Sequence, residues 1–136
     1  MIKKNSSYTV APPKLISTSV KTDLETFGRI EQFYETIASH TRRRRPGKAE
    51  VAGWLLEDGR RFVLTEKIDV LYDAEDFDHQ MMVKIPSDVW AEIKADATRN
   101  GTTAQDLANA YMHVALARVT LADYKAKALA VKEGRK

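Results

Sequence analysis

Four consecutive arginines, Arg42, Arg43, Arg44 and Arg45, form the densest concentration of one charge in this sequence. Guanidinium groups stay charged at any physiological pH and bind phosphate oxygens, so such a run attracts a nucleic-acid backbone without reading its bases. Lys48 follows just beyond Pro46-Gly47. The alternative for this stretch is an ordinary solvated loop, or a docking surface for an acidic protein. A second set of polar groups is spaced rather than clustered. Ser17, Ser19 and Lys21 alternate with apolar or β-branched residues, and so do Gln80, Met82 and Lys84. Alternate side chains of an extended chain share one face, so each triplet would be presented together. Lysine donates to guanine O6 or N7, glutamine pairs with adenine, serine offers a short hydroxyl contact, and methionine can touch a thymine methyl. A plain solvated strand face is the competing reading.

Other chemistry finds little support. With no cysteine there can be no disulfide, thiolate zinc site or cysteine nucleophile. His40, His79 and His113 lack metal-ligand spacing. Asp73, Glu75, Asp76 and Asp78 imitate a magnesium-binding nuclease cluster, but nothing complementary accompanies them, and an acidic connector is the simpler account. No glycine-rich nucleotide loop or nucleophile triad is present. Phe27, Trp54, Trp90 and Tyr111 could stack on single-stranded bases, yet their helical spacing beside other apolar residues assigns them to a core. The expectation is a protein that is not an enzyme and uses no cofactor and no metal.

The elements that must position these groups follow from pattern. Residues 1–14 are polar and end in Ala11-Pro12-Pro13-Lys14, which predicts an N-terminal arm with Lys3 and Lys4 as candidate backbone contacts. LISTSVKT, residues 15–22, predicts a short strand with Ile16, Thr18, Val20 and Thr22 on one face. Asp23 can cap a helix from about Leu24 to Ser39, carrying Phe27, Ile30, Tyr34 and Ile37 at helical spacing. A shorter helix is expected over Lys48 to Glu57, with Val51, Trp54 and Leu55 inward and Asp58-Gly59 as its stop. Residues 58–78 read as an acidic connector that holds an extended segment or hairpin. HQMMVKIP then alternates again, with Met81, Val83 and Ile85 on one face and Pro86 opening a helix. That helix carries Val89, Trp90, Ile93 and Ala97 and stops at Asn100-Gly101. Thr103 can cap the next one, with Asp106 at the capping-box position and Leu107, Ala110, Tyr111, Val114 and Ala115 at core spacing. Residues 121–136 are its extension or a separate helix with a basic tail.

Composition agrees with one small folded unit: 43% apolar residues are too many for a disordered chain, and 136 residues leave little room for an elaborate cleft. The net charge of +3 is weak evidence by itself. Its layout is more informative, because basic residues 1–60 and 81–136 flank the acidic residues 61–80. No apolar run is long enough to span a membrane, and the opening residues lack a signal-peptide segment, so a cytoplasmic location with no membrane partner is expected.

Strand, proline, helix, Asn-Gly turn and Thr-capped helix between Gln80 and Leu116 resemble the ribbon-helix-helix family of DNA-binding proteins. The resemblance implies a mainly α fold with a short antiparallel β-ribbon that enters the major groove of double-stranded DNA. It gives base reading to Gln80, Met82 and Lys84, core packing to Met81, Val83 and Ile85, and phosphate binding to Thr103 and the first amides of its helix. Such a strand needs a partner strand, because its hydrogen bonds and small apolar face cannot be satisfied alone. The partner can come from the same chain: at one constant offset in the sequence Ser17, Ser19 and Lys21 match Gln80, Met82 and Lys84, Asp23 matches Pro86, Phe27 matches Trp90 and Ile30 matches Ile93. The expected architecture is two tandem motifs, residues 15–57 and 79–120, forming a monomeric pseudo-dimer in preference to a homodimer. Ser17, Ser19 and Lys21 then join the base-reading set, and Arg42–Arg45 and Lys48 join the phosphate-binding set, with Lys94, Arg99 and Arg118 as weaker candidates. Tandem single chains of this kind resemble the VirC2-like accessory proteins of conjugative and T-DNA transfer, which implies an asymmetric site near a plasmid transfer origin and a relaxase or other relaxosome protein as partner. A ribbon-helix-helix transcriptional repressor is the alternative, as is an antitoxin with residues 121–136 as its toxin-binding tail. A protein-interaction adaptor that binds no DNA is the third reading.

Overall fold

A computed structural model describes residues 14–41, 47–68 and 79–132. Strand β1 (Leu15–Thr22) leads into α1 (Leu24–Thr41) and α2 (Lys48–Glu66); strand β2 (His79–Pro86) leads into α3 (Ser87–Arg99), α4 (Ala104–Arg118) and α5 (Leu121–Lys132). The fold is mainly helical around a two-stranded antiparallel sheet formed by β1 and β2. The N-terminal arm up to Pro13 with Lys3 and Lys4, the arginines Arg42–Arg45, the acidic cluster Asp73, Glu75, Asp76 and Asp78, and the end of the tail beyond Lys132 lie outside the described residues.

Both strands alternate as their sequences require. Val20, Thr22, Met81, Val83 and Ile85 are buried beneath the sheet, while Ser17, Lys21, Gln80, Met82 and Lys84 are exposed above it. The pairing runs from Leu15↔Pro86 through Ser19↔Met82 to Thr22↔His79. The buried face feeds one hydrophobic cluster that draws Ile30 and Ile37 from α1, Val51, Leu55 and Leu56 from α2, Trp90 and Ile93 from α3, and Leu107, Tyr111 and Met112 from α4. Each fully buried aliphatic side chain of this kind contributes about 1.5–3 kcal/mol.

Local signals explain most helix ends. Asp23 caps α1, its Oδ2 accepting from the Thr26 amide at 3.4 Å. Its Oδ1 accepts from Asn109 Nδ2 of α4 at 3.0 Å, so one carboxylate starts α1 and ties it to α4. Thr103 Oγ1 accepts from the Asp106 amide at 3.1 Å at the start of α4, and Gly101, at φ 67°, turns the chain between α3 and α4. Val119 leaves helical geometry at ψ 152°, so α5 is a separate helix. Tyr124 and Ala128 bury α5 against the body, with the Tyr124 ring edge-on to Phe33 of α1 and Trp54 of α2.

The expected stop at Asp58-Gly59 does not operate: α2 continues to Glu66, and residues 58–66 of the expected connector are helical. The reason is tertiary. At Gly59, α2 crosses α4 so closely that a Cβ would lie 1.8 Å from the Tyr111 carbonyl oxygen, and only glycine permits that approach. α2 and α4 make the most extensive helix–helix contact of the fold. Asp58 is used as well, accepting from the Tyr124 hydroxyl at 2.6 Å.

A polar cluster locks α2, α3 and α4 together beside this crossing. Asp96, with its side chain almost wholly buried, accepts from Arg60 Nε at 2.7 Å and from the Tyr111 hydroxyl at 2.9 Å, and it pairs with Arg99. Arg60 also reaches Glu92 at 2.9 Å. Burial alone would raise the Asp96 pKa, but the hydrogen bonds from Arg60, Tyr111 and Arg99 and the Arg60 charge outweigh it and hold the carboxyl below its usual range.

Candidate nucleic-acid interface

The six alternating positions, five polar residues and Met82, converge. Register pairs Ser17 with Lys84, Ser19 with Met82 and Lys21 with Gln80, so both triplets occupy the same face of one ribbon. At about 3.3 Å per residue the two lysines stand about 13 Å apart along the ribbon, on opposite strands. A two-stranded ribbon of this size fits a major groove about 12 Å wide. Neither strand contains an acidic residue, so the face carries two ammonium groups, short hydroxyls, one amide and one thioether. Met82 is 52% exposed at its centre.

The pairing has a second regularity. Residues related by the constant sequence offset occupy equivalent places about the Ser19↔Met82 pair: Lys21 lies as far from it on β1 as Lys84 does on β2, in the opposite direction. The helices follow the same exchange, with α2 packed against β2 and α4 against β1.

Each edge of the ribbon meets a helix, by different means. At β1 the Gln105 side chain, in the first turn of α4, accepts from the Lys21 amide at 2.7 Å and donates to the Ser19 carbonyl at 2.9 Å. At β2 the backbone of α2 approaches directly, since a Cβ on Gly53 would lie 1.8 Å from the Lys84 carbonyl oxygen. The N-terminal turn of α4 therefore stands beside the polar face. Thr103 is exposed there, with its hydroxyl engaged in capping. Helix N-termini favour anions through free amides and the helix dipole.

The remaining nominated cations are placed less openly. Lys48 is half-exposed, ion-paired with Glu31, and 5.7 Å from the Phe27 ring centroid. Arg118 pairs with Glu66 at 3.0 Å and Arg99 with Asp96, whereas Lys94 is exposed on α3. The aromatic residues do not gather on the polar face: Tyr111 and Trp90 are buried, Phe27 meets His79 at 5.4 Å, and Trp54 packs under Tyr124 with Lys127 over its ring. Among the described residues no three His, Asp or Glu side chains converge as metal ligands, and no helix is long and apolar enough to cross a membrane.

Sequence reasoning missed Gln105 and the Asp96 cluster. Gln105 sits at the second position of a Thr-capped helix, which carries no signal for a contact with the edge of a strand from the other end of the chain. Arg60, Asp96 and Tyr111 look like solvated or core positions until three helices meet. No protein-family model, curated protein or solved structure matches this chain.

Proposed function

We propose that this chain binds double-stranded DNA as a single-chain ribbon-helix-helix protein, with β1-α1-α2 and β2-α3-α4 as the two halves of a pseudo-dimer. The observation that carries the reading is the register: two triplets from distant parts of the sequence fall on one ribbon face and are related by an approximate twofold axis through Ser19 and Met82. A sheet of two strands whose outer face is polar and free of carboxylates matches the chemistry of major-groove base edges.

In this reading Lys21 and Lys84 contact guanine, Gln80 contacts adenine, Ser17 and Ser19 offer hydroxyl contacts, and Met82 touches a thymine methyl. Thr103 and the first amides of α4 hold a phosphate, and Arg42–Arg45 and Lys48 supply further phosphate contacts. Because the halves differ in sequence, the preferred site is asymmetric. The likeness to VirC2-like proteins supports an accessory role in conjugative or T-DNA transfer, at an origin-proximal site where a relaxase is assembled. The burial of Tyr124 and Ala128 against the body counts against residues 121–129 as a toxin-binding tail.

Fluorescence anisotropy with duplexes recovered from a random-sequence pool tests the reading. Wild-type affinity should fall steeply with salt. The Lys21→Ala/Lys84→Ala double variant, with its helical circular dichroism unchanged, should lose at least about tenfold in specific affinity. Unchanged affinity and specificity would refute base reading by this face.

A further inference from the structure

We infer that Gln105 is a positioning residue for the polar face of the ribbon, coupling it to the N-terminal turn of α4. The inference rests on the DNA-binding reading above and concerns how that face is held. A two-stranded ribbon has two outer edges whose amides and carbonyls lack a third strand. On β1 those groups include the Lys21 amide and the Ser19 carbonyl, which belong to two of the residues assigned to base contact.

The Gln105 carboxamide supplies one acceptor and one donor, at 2.7 Å and 2.9 Å, which is the two-point contact that a neighbouring strand would make. The contact joins distant parts of the sequence and sits two positions from the Thr103 cap. Base contacts at Ser19 and Lys21 and a phosphate contact at the start of α4 thereby become one rigid unit. Rigid spacing between a backbone anchor and a base-reading side chain makes sequence discrimination possible, because a wrong base cannot be accommodated by sliding.

The opposite edge needs no such side chain. There α2 lies against the Lys84 carbonyl at Gly53, and the helix backbone itself fixes the strand. The Lys84 end is therefore set by main-chain packing, and the Lys21 end by two side-chain amides of α4, Gln105 at the strand edge and Asn109 at Asp23 just beyond it. Asparagine, one methylene shorter, cannot span both groups. Glutamate keeps the acceptor for the Lys21 amide and loses the donor to the Ser19 carbonyl.

The test uses the full chain with Gln105→Ala and Gln105→Glu. Each variant is measured for affinity to a selected duplex and to a scrambled duplex of equal length, for salt dependence, and for amide exchange at Lys21. For Gln105→Ala we expect faster Lys21 amide exchange, a loss of about tenfold on the selected duplex, scrambled-duplex affinity within about twofold, and an unchanged salt slope; Gln105→Glu, which keeps the acceptor, should leave Lys21 exchange near that of wild type while the selected duplex is still bound more weakly. Equal losses on both duplexes in Gln105→Ala would assign Gln105 to general backbone binding and overturn the inference. Unchanged affinity for the selected duplex, alongside faster Lys21 exchange, would overturn it too. In either case the ribbon reading survives if Lys21→Ala/Lys84→Ala still loses specific affinity, and it fails if that variant binds as wild type.

Discussion

Replacing Gly59 by alanine sets helix propensity against packing, and the structure decides the sign. Gly59 lies inside α2, where alanine is favoured over glycine by about 1 kcal/mol. A Cβ at this position would lie 1.8 Å from the Tyr111 carbonyl oxygen and 2.5 Å from its carbon, against the 3.4 Å at which ordinary contact begins. Relief requires α2 and α4 to separate until the shorter distance reaches the longer one. Both contacts are backbone, so no flexible side chain can yield. Overpacking of a core costs about 1–3 kcal/mol, and this displacement also pulls Tyr111 away from Asp96. With about 1 kcal/mol more for the weakened Tyr111–Asp96 hydrogen bond, the cost exceeds the propensity gain, and a net loss of about 1–3 kcal/mol is expected. Gly28 in α1 is the control, because nothing lies within 4 Å of its Cβ position. Gly28→Ala should stabilise by about 0.5–1 kcal/mol. Urea titrations followed by circular dichroism and by Trp54 and Trp90 fluorescence would resolve a difference of this size, as would a melting shift of several degrees. A Gly59→Ala protein as stable as wild type, or a Gly28→Ala protein equally damaged, would refute the close α2–α4 crossing.

Asp96→Ala should cost about 3 kcal/mol in urea unfolding, because it leaves the Tyr111 hydroxyl and the Arg60 guanidinium without their shared acceptor; the Arg60–Glu92 pair keeps the loss from being larger. The depressed Asp96 pKa contributes stability that is present above the unfolded value of about 4 and lost as pH falls below it, so the variant should show a shallower acid decline. Burial, reinforced by the Asp58 and Asp96 carboxylates, pushes the Tyr124 and Tyr111 phenols upward. The native state then holds protons that the unfolded chain releases above about pH 10, and stability should fall as pH rises through that range. Tyr124→Phe should decline less than wild type between about pH 9 and 11; an identical decline would exclude the buried phenol as the cause. Sedimentation equilibrium of the DNA-free protein should give the 15.4 kDa monomer mass, since β1 and β2 pair within one chain; an obligate dimer would contradict the single-chain ribbon.

Much of the polar face was legible because alternation is a local property. Whichever strand partner β1 finds, Ser17, Ser19 and Lys21 must emerge opposite Val20 and Thr22, and the same holds for Gln80, Met82 and Lys84 opposite Met81, Val83 and Ile85. Capping is equally local, so Asp23 and Thr103 marked the starts of α1 and α4 before any packing was known. The constant offset between the two triplets also indicated which segments could pair.

Tertiary structure decided what depends on two distant backbones meeting. Sequence read Asp58-Gly59 as a stop because glycine destabilises an isolated helix; in the fold, the same missing Cβ admits α4, and contact along the crossing carries α2 on to Glu66. The register about Ser19↔Met82, the Gln105 bridge to the β1 edge and the Asp96 cluster each join residues from separate elements, and no local propensity encodes a distance between them. Sequence by itself determined the elements and which side chains share a face, since backbone geometry repeats within a few residues. How those faces meet was left to the packed core, because close approach is a property of pairs of backbones and of the space between them.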